Sequence, residues 1–331
     1  MKKVNLGLNG PKVSVIGLGG MSFSDFYGKT TEKNTHNILD KAIDYGINLI
    51  DTANIYGLGK SEVGIGNYFK KKPSSKSKFV ICTKASIEIN KDSRRINNSY
   101  SHLEKEIDKS LKKLNVPVID LFYIHRKNPN VSIELIMESL LKLIKKGKIK
   151  SIGFSEIAPS TLISAHKIYP VSAIQSEYSL ATRIPELGLL QTAERLGISF
   201  VAFSPLSRGL LTDKPPSSRK VKNIPFLKEI PRFQGNNLVR NLEIVKNFSL
   251  FCQNIGHSSS SVALAWILKK NKNIIVIPGT RSTHHLEQIY KASKNIINKS
   301  DIETIEKILP PGWAYGDRYS EQQWIGPERY C

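Results

Sequence analysis

SHLEKEIDKSLKKLNVPVIDLFYIH, residues 101–125, contains one whole unit of the fold. Leu103, Ile107, Leu111 and Leu114 recur at helical spacing and share one face of a helix over Ser101–Leu114. Ser101 and Glu104 have the spacing of a capping box at its start. The run Leu121–Ile124 then follows without polar alternation. It is too short for a helix and suits a strand of a parallel sheet, buried on both faces. The run stops at an ionisable residue, His125.

The same rhythm recurs along the chain. Apolar runs lie at Val15–Leu18, Asn48–Ile50, Phe79–Cys82, Leu121–Ile124, Ser151–Phe154, Ala173–Ile174, Phe200–Phe203 and Ile274–Ile277. Amphipathic segments fall between them, at Thr35–Tyr45, Ser101–Leu114, Ile133–Ile144 (stopping at Gly147), Pro185–Leu196 (stopping at Gly197) and Ser259–Leu268. Strands alternating with helices predict an α/β fold. Eight such units in one chain predict a closed (β/α)8 TIM barrel, with residues 1–331 as one domain. Val4–Leu8 and Val13–Ile16 flank Asn9-Gly10, which predicts an N-terminal β-hairpin with a two-residue turn. Two stretches break the rhythm. Pro205–Gly235, after the seventh run, predicts a long loop rich in Pro, Ser and basic residues. The tail beyond Pro310, with Trp313, Tyr315, Tyr319, Trp324 and Tyr330, predicts aromatic packing against the body.

Hydrophobic residues make up 40% and charged residues 23%, which excludes a largely disordered chain. The net charge is +21, yet the lysines are scattered. The densest runs, Lys70–Lys72 and Lys145–Lys150, fall at expected helix ends, where positive charge complements the helix dipole. No motif interleaves aromatic with basic residues, so a nucleic-acid partner is not expected. Cys82, Cys252 and Cys331 are odd in number and lack metal-ligand spacing. Reduced thiols and a cytoplasmic protein without a metal are expected. No stretch is apolar for long enough to suggest a signal peptide or a membrane span.

Barrel active sites form where strands end at their C-terminal side. Asp51 follows the second run with Tyr56 five residues on, Lys84 follows the third and His125 the fourth. Taken singly, these would be a turn cap, a packed ring, a surface amine and a hydrogen-bonded core imidazole. Together, in order on one rim, they form an acid–base set. Gly17-Leu-Gly-Gly20 is not a dinucleotide fingerprint, because Ser22 occupies its third glycine position and no helix opens until after Thr31.

These residues carry a resemblance. Gly46–Gly57, with Asp51 and Tyr56, resembles the aldo-keto reductase signature around its catalytic Asp and Tyr. Leu111–His125 resembles the second signature of that family, ending at its catalytic His, and Ile81-Cys-Thr-Lys84 resembles its strand-borne lysine. Gln175–Ser179, Phe203–Gly209 and Ile277–Ser282 resemble its later cofactor-binding stretches. Ser155-Glu156 resembles a bacterial-type subgroup with Ser-Glu after the fifth strand.

The resemblance implies an NADP(H)-dependent enzyme that reduces aldehydes or ketones, with Tyr56 as general acid, Lys84 tuning it, Asp51 anchoring Lys84 and His125 orienting the carbonyl. Free tyrosine has a pKa near ~10, so a lysine ammonium beside the phenol is expected to lower it. For the cofactor, the resemblance implies backbone approach at Gly20 and Met21 and contact near Asp51. It implies carboxamide hydrogen bonds at Ser155 and Gln175 and ring stacking on Phe203. Ser204, Leu206 and Arg208 would face the pyrophosphate. Gly279, Thr280 and Arg281 would face the adenosine 2′-phosphate, with His285 and Gln288 nearby. The chain departs from the family at Ile289, where relatives usually carry an adenine-contacting Asn. The alternative is a cofactor-binding, redox-sensing regulatory subunit with slow turnover. The partner expected is a small carbonyl compound; substrate identity and oligomeric state are not readable.

Overall fold

The computed structural model describes residues 1–90, 93–294 and 296–330. The chain opens with β1 (Lys3–Asn5) and β2 (Lys12–Ser14), then enters β3 (Leu18–Gly19), α1 (Glu32–Asp44), β4 (Leu49–Asp51), α2 (Lys60–Lys71) and β5 (Val80–Ala85). A hairpin, β6 (Ile87–Asn90) and β7 (Ser93–Ile96), precedes α3 (Tyr100–Leu114) and β8 (Leu121–Ile124). There follow α4 (Ile133–Lys145), β9 (Ile152–Ser155), α5 (Pro159–Ile168), β10 (Ala173–Glu177), α6 (Leu189–Arg195) and β11 (Ser199–Phe203). The chain then runs through α7 (Ser218–Lys222), α8 (Pro225–Lys228), α9 (Gly235–Asn254), α10 (Ser259–Lys270), β12 (Ile274–Val276), α11 (Thr283–Lys291) and α12 (Lys299–Ile308).

All eight apolar runs contribute to the parallel sheet β3-β4-β5-β8-β9-β10-β11-β12. The sheet curls until its ends meet. A parallel bridge joins Ile16 to Val276, Gly17 N donates to Val276 O at 2.8 Å, and Val276 N donates to Val15 O at 2.9 Å. The protein is thus an α/β barrel of the (β/α)8 type.

Strand side chains alternate between the barrel interior and the helices. Ile50, Ile81, Phe122, Ile124, Phe154, Ile174, Phe200 and Val276 face outward into the main core with the helices. Leu49, Cys82, Leu121, Tyr123, Ala173, Val201, Ile275 and Ile277 fill the interior, and Leu6 and Val13 from the N-terminal hairpin join them. The hairpin therefore plugs the barrel floor. Two residues beyond the interior-facing Leu49, Cys82, Tyr123, Ala173 and Val201, the same parity places Asp51, Lys84, His125, Gln175 and Phe203 at the mouth.

Local expectations needed three corrections. The N-terminal hairpin does not turn on Asn9-Gly10. Its ladder pairs Lys3 with Ser14 and Asn5 with Lys12, and Leu6 N reaches across a longer loop to Pro11 O. Leu6 then points into the barrel instead of extending the ladder. Helix α3 is capped by Ser99, whose side chain accepts from His102 N, and not by Ser101. Glu104 is drawn away to Lys146 and Lys148. The segment Pro185–Leu196 splits into a 3-10 turn at Ile184–Glu186 and α6, because Gly188 takes a positive φ of 113° between them. Pro205–Gly235 is a loop that carries the short helices α7 and α8. The tail packs down, with Trp313 Nε1 donating to Leu180 O at 2.8 Å.

Gly153 faces Tyr123 inside the barrel, and a Cβ there would lie 2.5 Å from Tyr123 Cδ1. The ring fills the space that a side chain on β9 would take. Gly153→Ala is expected to cost about 1–3 kcal/mol through overpacking. Urea unfolding monitored by fluorescence will read this, and an unchanged midpoint would contradict it.

Candidate active site

At the centre of the mouth lies a buried charge pair. Lys84 Nζ donates to Asp51 Oδ1 and to Thr52 O, the latter at 2.8 Å. Gln175 Nε2 donates to the other Asp51 oxygen at 2.8 Å. Lys84 is 0% exposed and Asp51 2%. Burial alone would pull the ammonium down, but Asp51 and Tyr56 outweigh it and raise its pKa above the usual lysine value. Lys84 therefore stays charged. Burial pushes Asp51 up, opposed by the ammonium and by the Gln175 amide.

Tyr56 enters from the loop after β4, which is pinned by Tyr56 N donating to Ala53 O and by Thr52 Oγ1 against Ser61 Oγ at 2.8 Å. Lys84 Nζ lies 5.5 Å from the Tyr56 ring centroid. Burial raises the phenol pKa, and the Lys84 ammonium works against that rise. The net direction is upward. Contrary to the expectation from the sequence, the ammonium does not depress the phenol below its ordinary value. The phenol keeps its proton at neutral pH and holds beside it a cation that would stabilise the phenolate.

His125 presents its ring edge-on to Tyr56, with centroids 6.0 Å apart and planes at 83°. Burial, then the charges of Arg126, Lys84 and Arg94, drive its pKa well below the usual histidine value. The ring is neutral near pH 7. Its buried Nδ1 has no hydrogen-bond partner among the described residues.

A cavity of about 540 Å³ opens over these groups. Of the residues singled out in the sequence, Met21, Tyr56, His125, Ser155, Gln175, Phe203, Ser204 and Arg208 line it. Asp51 and Lys84 lie beneath. Gly20 does not line it; it precedes Met21, with Ser61 Oγ donating to its carbonyl and lying 2.9 Å from where a Cβ would stand. Leu206 lies in the loop after β11 without lining the cavity.

Gly279, Thr280, Arg281, His285 and Gln288 lie outside that cavity, around the start of α11. Gly279 packs so closely that a Cβ would meet Ser22 Oγ at 2.5 Å. Thr280 Oγ1 bonds with the backbone of Ser282, which caps α11. Arg281 Nη1 donates to Lys29 O at 3.0 Å, and no ion pair joins Arg281 to a carboxylate among the described residues. Burial and the nearby charges of His284 and Lys220 lower the pKa of His285. Gln288 holds its helix to α10 through its carbonyl, which accepts from Ser261 Oγ at 2.7 Å. Ile289, the departure from the family pattern, is 2% exposed and packs in the core.

Several residues at the mouth were not anticipated. Glu177 lies on the same parity two residues after Gln175 and receives the fork of Arg208 at 3.0 and 2.7 Å. Arg318 from the tail reaches Glu156 at 2.5 Å and Glu177 at 3.5 Å. Arg208 is thus tied to a carboxylate, in a loop where Ser204, Ser207 and Arg208 all have left-handed φ. Arg126, next after His125, donates to Ser155 Oγ at 3.1 Å. Phe26 and Tyr27 pack edge-on against Phe226 of the loop after β11, and with Ile87, Ile89, Tyr319 and Ile325 they form the walls. Parity could have found Glu177. The wall residues come from irregular loops, where spacing carries no signal.

The family model for the aldo/keto reductase family matches residues 15–310. The chain belongs to the aldo/keto reductase family. It is 34% identical over 312 residues to an aldo-keto reductase of Schizosaccharomyces pombe named for NADP(+), covering 93% of this chain and 92% of that one. It is 34% identical to a probable aldo-keto reductase of Glycine max, over 96% of this chain and 92% of the relative. A solved glycerol dehydrogenase from Gluconobacter oxydans superposes with a TM-score of 0.81 at 26% identity, covering 93% of this chain and 94% of its own. This aldo/keto reductase is accordingly an oxidoreductase. No helix among the described residues is long and apolar enough to cross a membrane.

Two outcomes follow from the buried groups. Lys84→Met leaves Asp51 buried without its cation and is expected to cost about 3–5 kcal/mol; calorimetric melting will show it, and an unchanged Tm would refute the pairing. For His125, the unfolded ring takes a proton near pH ~6.5 while the folded ring resists it. Its contribution to stability is present above that pH and is lost as pH falls through the lower folded pKa. The slope is at most about 1.4 kcal/mol per pH unit. His125→Gln should therefore lose less stability between about pH 7.5 and 5.5 than the parent, in denaturant titrations at both values.

Proposed function

We propose that this chain is an NADP(H)-dependent reductase of small aldehydes and ketones, with Tyr56 as the proton donor. The observation that carries the reading is the chain of contacts from Asp51 through Lys84 to Tyr56, with a neutral His125 at the edge of the phenol and one cavity over both.

The groups fit a phosphorylated dinucleotide. Gly20 and Gly279 sit where a Cβ would clash with Ser61 Oγ and Ser22 Oγ, which leaves their backbone free of side chains; His125 keeps an unpartnered nitrogen, and no ion pair joins Arg281 to a carboxylate among the described residues. Gly20, Met21, Ser155, Gln175, Phe203, Ser204 and Leu206 would hold the nicotinamide half, beside the Asp51 carboxylate. Gly279, Thr280, Arg281, His285 and Gln288 would hold the adenosine end, with Arg281 and its neighbours pairing with the 2′-phosphate. Arg208 would act from its fork on Glu177, shaping the loop. Ile289 belongs to the core, so adenine recognition falls to its neighbour Gln288. Bound in this way, NADPH would supply the hydride that the carbonyl carbon accepts.

The residues of the chain supply the rest. A neutral His125 can donate a hydrogen bond to the carbonyl oxygen and orient it. The phenol of Tyr56, protonated at neutral pH, gives its proton to that oxygen. The Lys84 ammonium stabilises the phenolate left behind, and Asp51 holds that ammonium charged and in place. No observation favours a regulatory subunit with slow turnover. A cytoplasmic location and one domain across the chain are part of the proposal. The buried free thiols of Cys82 and Cys252 agree with a reducing compartment, while Cys331 lies outside the described residues.

Tyr56→Phe removes the donor and is expected to lower kcat for a generic aldehyde by about 10²-fold or more. Quenching of protein fluorescence by NADPH should persist. Near-full turnover in this variant would overturn the assignment.

A further inference from the structure

Three arginines line the cavity: Arg94, Arg126 and Arg208. Their charges are handled differently. Arg208 forks onto Glu177 and is neutralised. Arg126 is 6% exposed and spends its donors on neutral oxygens: its own neighbour His125 O at 2.6 Å, Ser155 Oγ at 3.1 Å and Tyr319 OH at 3.4 Å. Arg94, half-buried on β7, forms no ion pair with any described residue. The Nε of all three is buried without a hydrogen-bond partner among the described residues, so the ion pair is what sets Arg208 apart. Glu229 also lines the cavity, but it is exposed on the loop after β11 and pairs with neither.

Two guanidinium groups without an ion-paired carboxylate among the described residues, beside one cavity, are costly unless something anionic joins them. Burial, then the charge of Arg126, lower the pKa of Arg94 to about 10, so Arg94 remains ionised at neutral pH. The position separates them from the cofactor segments. Arg94 follows β5 and Arg126 follows β8, adjacent strands on the side of His125. The segments expected to meet the cofactor phosphates follow β11 and β12, near the opposite seam of the barrel. Ile87, Ile89 and Ile325 line the same cavity and give it apolar surface beside the two arginines.

We propose that Arg94 and Arg126 form an oxyanion subsite for the substrate, so that the preferred carbonyl compound carries a carboxylate or phosphate group remote from the carbonyl. A guanidinium fork matches either group. The apolar walls accommodate the short carbon body between the two ends. This proposal rests on the reductase reading above and adds the substrate class to it.

The test compares kcat/KM with NADPH for 4-carboxybenzaldehyde against benzaldehyde and for glyceraldehyde 3-phosphate against glyceraldehyde. The expected result is a preference of about ten-fold or more for the anionic member of at least one pair, weakening with added salt; which pair shows it separates a carboxylate from a phosphate. Arg94→Gln should reduce that ratio about ten-fold, through KM and not kcat, and Arg94→Lys should recover part of it. Ratios near one in both pairs for the parent protein would overturn the subsite even if both aldehydes turn over well. So would a ratio that Arg94→Gln leaves in place. If neither aldehyde of either pair turns over, the reductase reading fails separately, and calorimetric titration with benzoate and benzamide decides the subsite. Benzoate binding lost in Arg94→Gln supports it, and equal binding of the two refutes it.

Discussion

The Lys84–Asp51 pair is the constraint on which the rest of the structure depends. A lysine with no exposed surface, inside a sheet closed on itself, is tolerated only when its charge is matched and its protons are satisfied. Asp51, the Thr52 carbonyl and the nearby phenol do this from one side, and Gln175 completes the carboxylate from across the barrel. The same contacts reach outward. Thr52 meets Ser61, and Ser61 holds the carbonyl of Gly20, so the wall of the mouth is anchored to the strand that carries the carboxylate. A closed barrel with a plugged floor is what keeps water from dissolving the pair; Leu6, Val13 and the Tyr123 ring supply that plug.

Above this rigid floor the mouth is divided. On the side of β9, β10 and β11, charge is compensated: Glu156 and Glu177 bind Arg318 and Arg208, and so tie the tail and the loop after the seventh barrel strand to strand ends. On the side of β5 and β8, Arg94 and Arg126 line the cavity without an ion pair to a carboxylate among the described residues. The field over the cavity is therefore uneven. Its positive side coincides with the neutral imidazole, whose low pKa is partly the work of the same arginines. One group of charges thus fixes the shape of the mouth, and the other biases what enters it.

Much of the fold was legible because buried parallel strands write themselves as continuous apolar runs. Val15–Leu18, Leu121–Ile124 and Ile274–Ile277 needed no partner to be recognised. Three members of the acid–base set, Asp51, Lys84 and His125, were legible for the same reason, since each follows a run by a residue or two; Tyr56 lies five residues beyond Asp51. Local details failed where tertiary contacts compete with local preference. Asn9-Gly10 has the chemistry of a tight turn, yet burying Leu6 in the barrel outweighs extending the ladder. Ser101 and Glu104 have capping-box spacing, yet Glu104 gains more from Lys146 and Lys148. Glu177 was within reach of the alternation rule. Arg318 was not, because nothing in a tail sequence states which strand end it will meet.

By itself the sequence determined where the eight barrel strands run, and that a carboxylate, a phenol, an amine and an imidazole follow three of them in order. Apolar periodicity and covalent order are enough for that, because they are properties of short segments. Only the tertiary structure decided the electrical state of those groups and the walls around them. The phenol rises or falls according to whether burial or the ammonium prevails, and an arginine is spent or available according to which carboxylate lies within its reach. Both are matters of distance through space between residues far apart in the chain.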